Sequence, residues 1–256
     1  MGKPLIFVTN DDGIDAKGLR VVIDIMKEIG NVVVVAPDKC QSGMSHALTV
    51  NAPIRLKKIK EEKNYVEYKC SGTPVDCLKI SLSQILKRKP DLCISGINHG
   101  SNSSINFLYS GTVAVALDGA LHGINSIAFS VCDISPETDF SHIIKHVKTI
   151  TLQTLKNGLP RGTCLNVNIP QANGSEIKGI KICKQAKANW NDYYVEKTDA
   201  SGEKFYMLAG SFENQDNDEC ADHCAIENYY ISVVPLHIDS TNYNFIDNLK
   251  TWNYEK

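Results

Sequence analysis

Short apolar runs alternate with amphipathic stretches through the first two thirds of the chain. Residues 5–8 and 32–35 are continuous apolar runs, a pattern typical of strands that are buried on both faces of a parallel sheet. Similar runs predict further strands at 91–95, 126–131 and 164–169. Helical periodicity predicts helices at 16–29, 73–87, 112–121 and 140–155. This βα alternation predicts an α/β fold with a mostly parallel sheet and helices on both of its faces.

Two regions depart from the βα pattern. Residues 54–59 and 65–70 flank a polar stretch and predict a hairpin. After about residue 170 the pattern predicts mainly strands, at 177–183, 190–197, 204–208 and 229–234, with an exposed acidic loop at 212–224. We therefore expect a single domain over residues 1–256. Its core covers about 1–170, and about 171–256 form a β-rich extension of the same domain or an arm for subunit contact.

Composition excludes some classes of function. The 256 residues are 43% hydrophobic and 22% charged, and the formal net charge is -2, so no basic field favours a nucleic-acid polymer as partner. No apolar run approaches the roughly 18 residues that span a bilayer, and the chain start does not read as a signal peptide. We expect a cytoplasmic protein that does not enter membranes, with its nine cysteines reduced.

Polar loops follow each of the first three core strands. They cover residues 10–13, 37–45 and 96–102, and a fourth polar turn at 110–112 opens the next predicted helix. In a sheet of this kind, ligands bind beyond the carboxyl ends of the strands, so these loops are expected to meet at one site. They are rich in Asp, Asn, Ser and Gly and contain almost no basic side chains.

Two adjacent aspartates, Asp11 and Asp12, stand at the end of the first predicted strand. Like charges placed side by side are costly unless a cation lies between them. Two carboxylates, together with neutral oxygens from a serine and an asparagine, suit a hard divalent cation such as Mg²⁺ or Mn²⁺. Open coordination positions could take water and a phosphate oxygen, and the turn at 110–112 offers amides and hydroxyls to the same phosphate.

Five segments in order resemble the SurE family of stationary-phase survival proteins. They are FVTNDDGIDAKGLR, VVAPDKCQSGMSHALTV, CSGTPVDCLKI, DLCISGINHGSNSSINFLYSGTVAVALDGALHG and CLNVNIP. The resemblance implies a Rossmann-like, three-layer α/β/α sandwich with a C-terminal β-rich arm that builds homodimers or homotetramers. It also implies a metal-dependent phosphatase that acts on nucleoside 5′- and 3′-monophosphates, with short-chain polyphosphate as a further substrate.

The resemblance assigns roles to individual residues. The ligands of one divalent metal ion per subunit, Mg²⁺ or Mn²⁺, would be Asp11, Asp12, Ser42 and Asn98. The phosphate would be held by Asn98, Asn102, Ser110, Gly111, Thr112 and the amide of Gly43, with Ser42 beside it. Asp11, Asp12 and Asn98 would be the catalytic residues. A water would attack in line, or one of the two aspartates would orient that water or attack directly.

One departure from the family pattern concerns the substrate. Many members carry Gly-Asp or Gly-Asp-Asp before the Tyr-Ser-Gly-Thr turn, and residues 104–106 here read Ser-Ile-Asn. There are two alternative functions. A haloacid-dehalogenase-type phosphatase is disfavoured, because it would need two aspartates separated by one residue and a later lysine, whereas Asp11 and Asp12 are adjacent and no such lysine is identified. A non-catalytic nucleotide binder would need no metal ligands, and its dinucleotide-binding form would show a Gly-x-Gly-x-x-Gly turn.

Overall fold

A computed structural model describes residues 2–135, 137–171 and 176–254. The strands are β1 Leu5–Thr9, β2 Asn31–Pro37, β3 Leu56–Glu62, β4 Tyr65–Cys70, β5 Leu92–His99, β6 Asn125–Val131, β7 Thr163–Ile169, β8 Gly179–Ile182, β9 Ala188–Thr198, β10 Lys204–Asn214 and β11 Tyr230–His237. The α-helices are α1 Lys17–Ile29, α2 Pro74–Ile80, α3 Gly111–Leu121, α4 Ile144–Asn157, α5 Asp222–Glu227 and α6 Tyr243–Lys250. A π-helical turn Ser81–Ile85 and 3-10 helices Ser104–Tyr109 and Ser141–Ile143 complete the set.

Nine strands form one mixed sheet in the order β3-β4-β2-β1-β5-β6-β7-β11-β8. Only the β3/β4 and β11/β7 pairs are antiparallel, so the prediction of a mostly parallel sheet is confirmed. Apolar residues of α1 and α4 pack on one face, and those of α2 and α3 pack on the other. The result is the three-layer α/β/α arrangement expected from the βα alternation.

Helices α2 and α3 begin at side-chain caps that the local sequence supplies. Thr73 and Asp76 form a reciprocal capping box at the start of α2, and Pro74 occupies its first turn. Ser110 caps α3 by accepting a hydrogen bond from the Val113 amide. Capping fixes the direction in which each polar loop enters its helix, and the start of α3 lies beside the end of β1, where the Thr112 hydroxyl reaches Asp11.

The sequence prediction was wrong in several details. Strand β3 continues through Lys60–Glu62, so the hairpin turn is only residues 63–64. Strand β5 extends to His99 instead of ending before Gly96, and its ladder with β6 shifts between Ser95 and Asn98. The segment predicted as a loop at 212–224 contains the end of β10 and the start of α5, and α6 was not predicted.

The last third of the chain contributes to two sheets. β8 and β11 extend the main sheet, with β11 antiparallel to β7. β9 and β10 pair only with each other, in register from Lys204–Thr198 to Asn214–Ala188, and form a long hairpin that we call the arm. The division into a core to about residue 170 and an extension after it stays a prediction. No helix in the described part of the chain is long and apolar enough to cross a membrane.

Candidate active site

The polar loops meet at the carboxyl edge of the sheet, around a cavity of about 530 Å³. Its volume is within the range of roughly 300 to 1,000 Å³ found for small-molecule sites. Six of the nine predicted site residues line it: Asp11, Ser42, Gly43, Asn98, Asn102 and Ser110. Asp12, Gly111 and Thr112 do not line it. The base of the arm closes another side through Trp190, Asp192, Leu208, Ala209 and Gly210.

Asp11 is buried at the end of β1, with 3% of its surface exposed. Its Oδ1 accepts a hydrogen bond from the Thr112 hydroxyl, and Thr112 is itself fully buried. Burial raises the pKa of Asp11 to about 6, the charge of Asp12 adds to the rise, and the Thr112 hydrogen bond opposes it. A carboxylate buried in this way is stabilised in its charged form by a nearby cation.

Asp12 and Asn98 are brought together by the extension of β5. The main-chain amide of His99 donates to Asp12 Oδ2 at 3.3 Å, which opposes the rise in the Asp12 pKa caused by burial. The side-chain amide nitrogen of Asn98 donates to the carbonyl oxygens of His99 and Gly100, at 3.3 and 2.9 Å. No hydrogen bond among the described residues uses Asn98 Oδ1, so this oxygen is available as a neutral ligand.

Ser42 and Gly43 lie on the loop that follows β2. The loop is tied to β1 because the Gln41 amide donates to the Asp11 carbonyl at 2.7 Å. Its other side is held by Ser45, whose hydroxyl donates to the Leu108 carbonyl at 2.6 Å. Gly43 adopts a φ of +74°, in the left-handed region that favours glycine. The loop that carries the exposed Ser42 is therefore tied down on both sides, and Ser42 and Asp11 line the same cavity.

The turn before α3 lies against the first carboxylate. A Cβ placed on Gly111 would come within 2.9 Å of Asp11 Cβ, so only glycine allows this close approach. The Thr112 hydroxyl donates to Asp11, and the main-chain amide of Thr112 also lies close enough to lower the pKa of the Asp11 carboxyl. Ser110 lines the cavity at the N-terminus of α3, where main-chain amides favour an anion.

The donor set fits a hard divalent cation. Asp11 shares the cavity with Ser42 and Asn98, and Asp12 is tied to the amide of His99, the residue after Asn98. Carboxylate, hydroxyl and amide oxygens are the ligands that Mg²⁺ and Mn²⁺ prefer. Within the described residues, no group of three or more His, Cys, Asp or Glu side chains could hold an ion, so a typical zinc site is not found there.

Comparison with known proteins places the chain in a family. The sequence matches the family model "Survival protein SurE" over residues 6–192. This chain belongs to the SurE family. It is 52% identical to a protein named 5′-nucleotidase SurE from Christiangramia forsetii, over 98% of this chain and 97% of that one. A protein of the same name from Flavobacterium johnsoniae is 53% identical, again over 98% and 97%.

The family fold is also found among solved structures. The crystal structure of the SurE protein from Aquifex aeolicus matches with a TM-score of 0.82 at 39% identity. The match covers 96% of this chain and 98% of that chain, so it includes both the SurE core and most of the C-terminal third. The resemblance inferred from five sequence segments is thereby confirmed for the family and for the α/β fold.

A buried amide network supports the site and was missed in the sequence. Asn102 donates through its side chain to Ser130 at 2.8 Å and through its main-chain amide to Asn168 Oδ1 at 2.7 Å. Asn166 donates to the Asn102 carbonyl at 2.9 Å. Asn102 is thus anchored to β6 and β7 besides lining the cavity. The alternating asparagines of β7, inside an otherwise apolar strand, were the available signal.

Proposed function

We propose that this chain is a metal-dependent phosphatase that hydrolyses nucleoside 5′- and 3′-monophosphates to nucleoside and phosphate. The observation that carries the proposal is that Asp11, Ser42, Asn98 and Ser110 at the N-terminus of α3 line one cavity, while Asp12, next to Asp11, is tied to the His99 amide. The full-length similarity to proteins named 5′-nucleotidase SurE supports it. Short-chain polyphosphate belongs to the same proposal as a further substrate.

In this proposal, one Mg²⁺ or Mn²⁺ is held by Asp11, Asp12, Ser42 and Asn98. A divalent cation held there would neutralise charge on a phosphate oxygen and would help to activate a water. Thr112 orients Asp11 through its hydroxyl, and the His99 amide orients Asp12. Each carboxylate has one oxygen engaged by these donors, and we assign its other oxygen to the cation. A water is then the attacking group.

The phosphate is assigned to the N-terminus of α3. The amides of Gly111 and Gly43, with the hydroxyl of Ser110, are neutral donors suited to phosphate oxygens. The second amide hydrogen of Asn102 is a further donor, because its first is used by Ser130. No lysine or arginine is among the described residues that line the cavity, so cationic side chains do not contribute to phosphate binding there.

This lining argues against the haloacid-dehalogenase alternative. That class restrains the phosphate with a lysine, and the cavity lining contains none within the described residues. Its two aspartates would also be separated by one residue, whereas Asp11 and Asp12 are adjacent. The non-catalytic binder is addressed by the assay below.

The arm is proposed to join subunits into a homodimer or homotetramer. Large apolar side chains lie exposed along both of its strands, among them Tyr193 at 60%, Tyr194 at 68%, Tyr206 at 61% and Leu208 at 61%. Exposed apolar surface of this extent is typical of a protein interface. Light scattering is expected to give a mass of two or four times 28.3 kDa, and a 28.3 kDa species at micromolar concentration would contradict the proposal.

The test of the function is phosphate release from a panel of 5′- and 3′-nucleoside monophosphates and short polyphosphates. Each substrate is assayed in EDTA and after addition of Mg²⁺, Mn²⁺ or Zn²⁺. We expect no release in EDTA, and release that returns with Mg²⁺ or Mn²⁺. Nucleotide binding without release under any metal would favour the non-catalytic binder. Equal release in EDTA would exclude a metal-dependent site.

A further inference from the structure

We propose that Trp190 forms the stacking wall of a nucleobase subsite, with Asn106 and Phe212 holding its ring in place. This proposal rests on the proposed function, since it assigns the base of the nucleotide to the arm end of the same cavity. The cavity lining combines two kinds of group. Oxygen and amide groups come from Asp11 and the polar loops, and the base of the arm supplies Trp190.

The Trp190 ring is fixed from two directions. Its Nε1 donates to Asn106 Oδ1 at 2.6 Å, so the polar edge of the indole is satisfied. Phe212 lies directly opposite in the β9/β10 ladder and packs against the ring edge-to-face, with ring centroids 5.6 Å apart. Phe212 is supported in turn by His223, at 4.9 Å between centroids. An aromatic ring held in this way loses little conformational freedom when a ligand stacks on it.

The fixed ring still has free surface in the cavity. Trp190 is 37% exposed and lines the cavity, although it contacts both Asn106 and Phe212. Tyr109, which is 58% exposed, lines the same cavity from the residue immediately before Ser110. Bases stack on aromatic side chains irrespective of their hydrogen-bonding pattern, so this wall suits the base of a nucleotide.

The charges of the cavity make such a contact necessary for affinity. With no Lys or Arg among its described lining residues, and with Asp11 and Asp192 both present, the protein side chains attract an anionic substrate weakly. For a nucleotide, the uncharged part of the substrate is the source of binding energy beyond that of the metal and the α3 amides. A stacked base supplies it, whereas a phosphate ester without a base does not.

Asn106 links this subsite to the departure of the chain from the family pattern. It is the last residue of the Ser-Ile-Asn segment, which stands where many SurE-family members carry acids. As an amide, Asn106 accepts the indole hydrogen bond without placing a further negative charge beside the cavity. Asn106→Ala removes that acceptor and is expected to weaken nucleotide binding less than loss of the ring itself.

The first experiment compares AMP with ribose 5-phosphate, which has no base. For Trp190→Leu we expect kcat/KM for AMP, relative to that for ribose 5-phosphate, to fall about tenfold, the equivalent of about 1.4 kcal/mol of stacking. The fall in kcat/KM for AMP should come from a higher KM, and Trp190→Phe should show a smaller fall than Trp190→Leu. Trp252→Leu is the matched control, because the other tryptophan of the chain packs on Phe245 and Tyr254 and does not line the cavity.

A purely structural role for Trp190 would change both substrates by the same factor, and that result would overturn the proposal. A second measurement does not depend on turnover. In a Trp252→Phe variant Trp190 is the one remaining tryptophan, and it can be excited selectively at wavelengths that tyrosine does not absorb. With Mg²⁺ present we expect adenosine to change the Trp190 emission in a saturable way and ribose to leave it unchanged. No response to adenosine at millimolar concentration would also overturn the proposal. Failure of the proposed function would instead show as no phosphate release from either ester by the unmodified protein.

Discussion

Replacing Thr112 by valine tests how the first carboxylate is held in place. The change keeps the shape of a fully buried side chain but removes the hydroxyl that donates to Asp11 Oδ1. A hydrogen bond to a buried charged group contributes about 1.5 to 3 kcal/mol to the free energy of unfolding. For a chain of this length that loss lowers Tm by about 3 to 12 °C. Thr112→Ser retains the hydroxyl and serves as the matched control.

The assay measures thermal unfolding in EDTA and phosphate release with Mn²⁺ for both Thr112 variants. Because Thr112 orients a proposed metal ligand, we expect Thr112→Val to lose about 10- to 100-fold in activity or in apparent Mn²⁺ affinity. Thr112→Ser should stay close to the unmodified protein in both measurements. If Thr112→Val unfolded at the same temperature as Thr112→Ser and kept full activity, Thr112 would not position Asp11.

Two further predictions concern packing and pH. Gly18→Ala would place Cβ 2.0 Å from the Ile97 carbonyl oxygen, so we expect the free energy of unfolding, measured in urea, to fall by about 3 kcal/mol. Gly2→Ala is the control and should leave the free energy of unfolding unchanged, because no atom lies within 4 Å of the added Cβ. Equal stability of the two variants would contradict the close packing of α1 on β5. Burial acts to raise the pKa of Asp118, but neighbouring histidines and Lys79, 3.0 Å away, outweigh it and hold that pKa below 3.8. The charged form therefore stabilises the fold above pH 3.8, and this contribution is lost as pH falls through the lower folded value. The stability difference between the unmodified protein and Asp118→Asn, measured by urea unfolding, should be larger at pH 7 than at pH 3, and an equal difference at both would contradict this.

Local sequence patterns were sufficient for the core strands and for the position of the site. Residues 5–8 and 32–35 form central parallel strands, because a continuous apolar run is stable only in a strand that is buried on both faces of the sheet. Once those strands are parallel, the polar residues that follow them meet at one edge of the sheet. The grouping of Asp11, Ser42, Asn98 and Ser110 around one cavity follows from that geometry.

Features that depend on distant partners could not be predicted in this way. Strand β5 runs on to His99 because β6 pairs with it beyond a shift in register, and residues 96–99 alone look like a turn. Thr112 reaches Asp11, and does not line the cavity, because of how α3 packs against β5, β6 and β7, which no local spacing encodes. The contact between Trp190 and Asn106 joins residues 84 positions apart. Such contacts arise only once the whole chain is folded.

The most direct test of the central claim is metal-dependent phosphate release by Asp11→Asn. Asp15→Asn is the matched control, because Asp15 is an exposed aspartate four residues along the same segment. With AMP and saturating Mn²⁺, we predict that Asp11→Asn releases at least about 100-fold less phosphate than Asp15→Asn, since the variant lacks a charged metal ligand. Asn98→Ala should lose activity in the same direction. Full Mn²⁺-dependent activity in both Asp11→Asn and Asn98→Ala would contradict the assigned site.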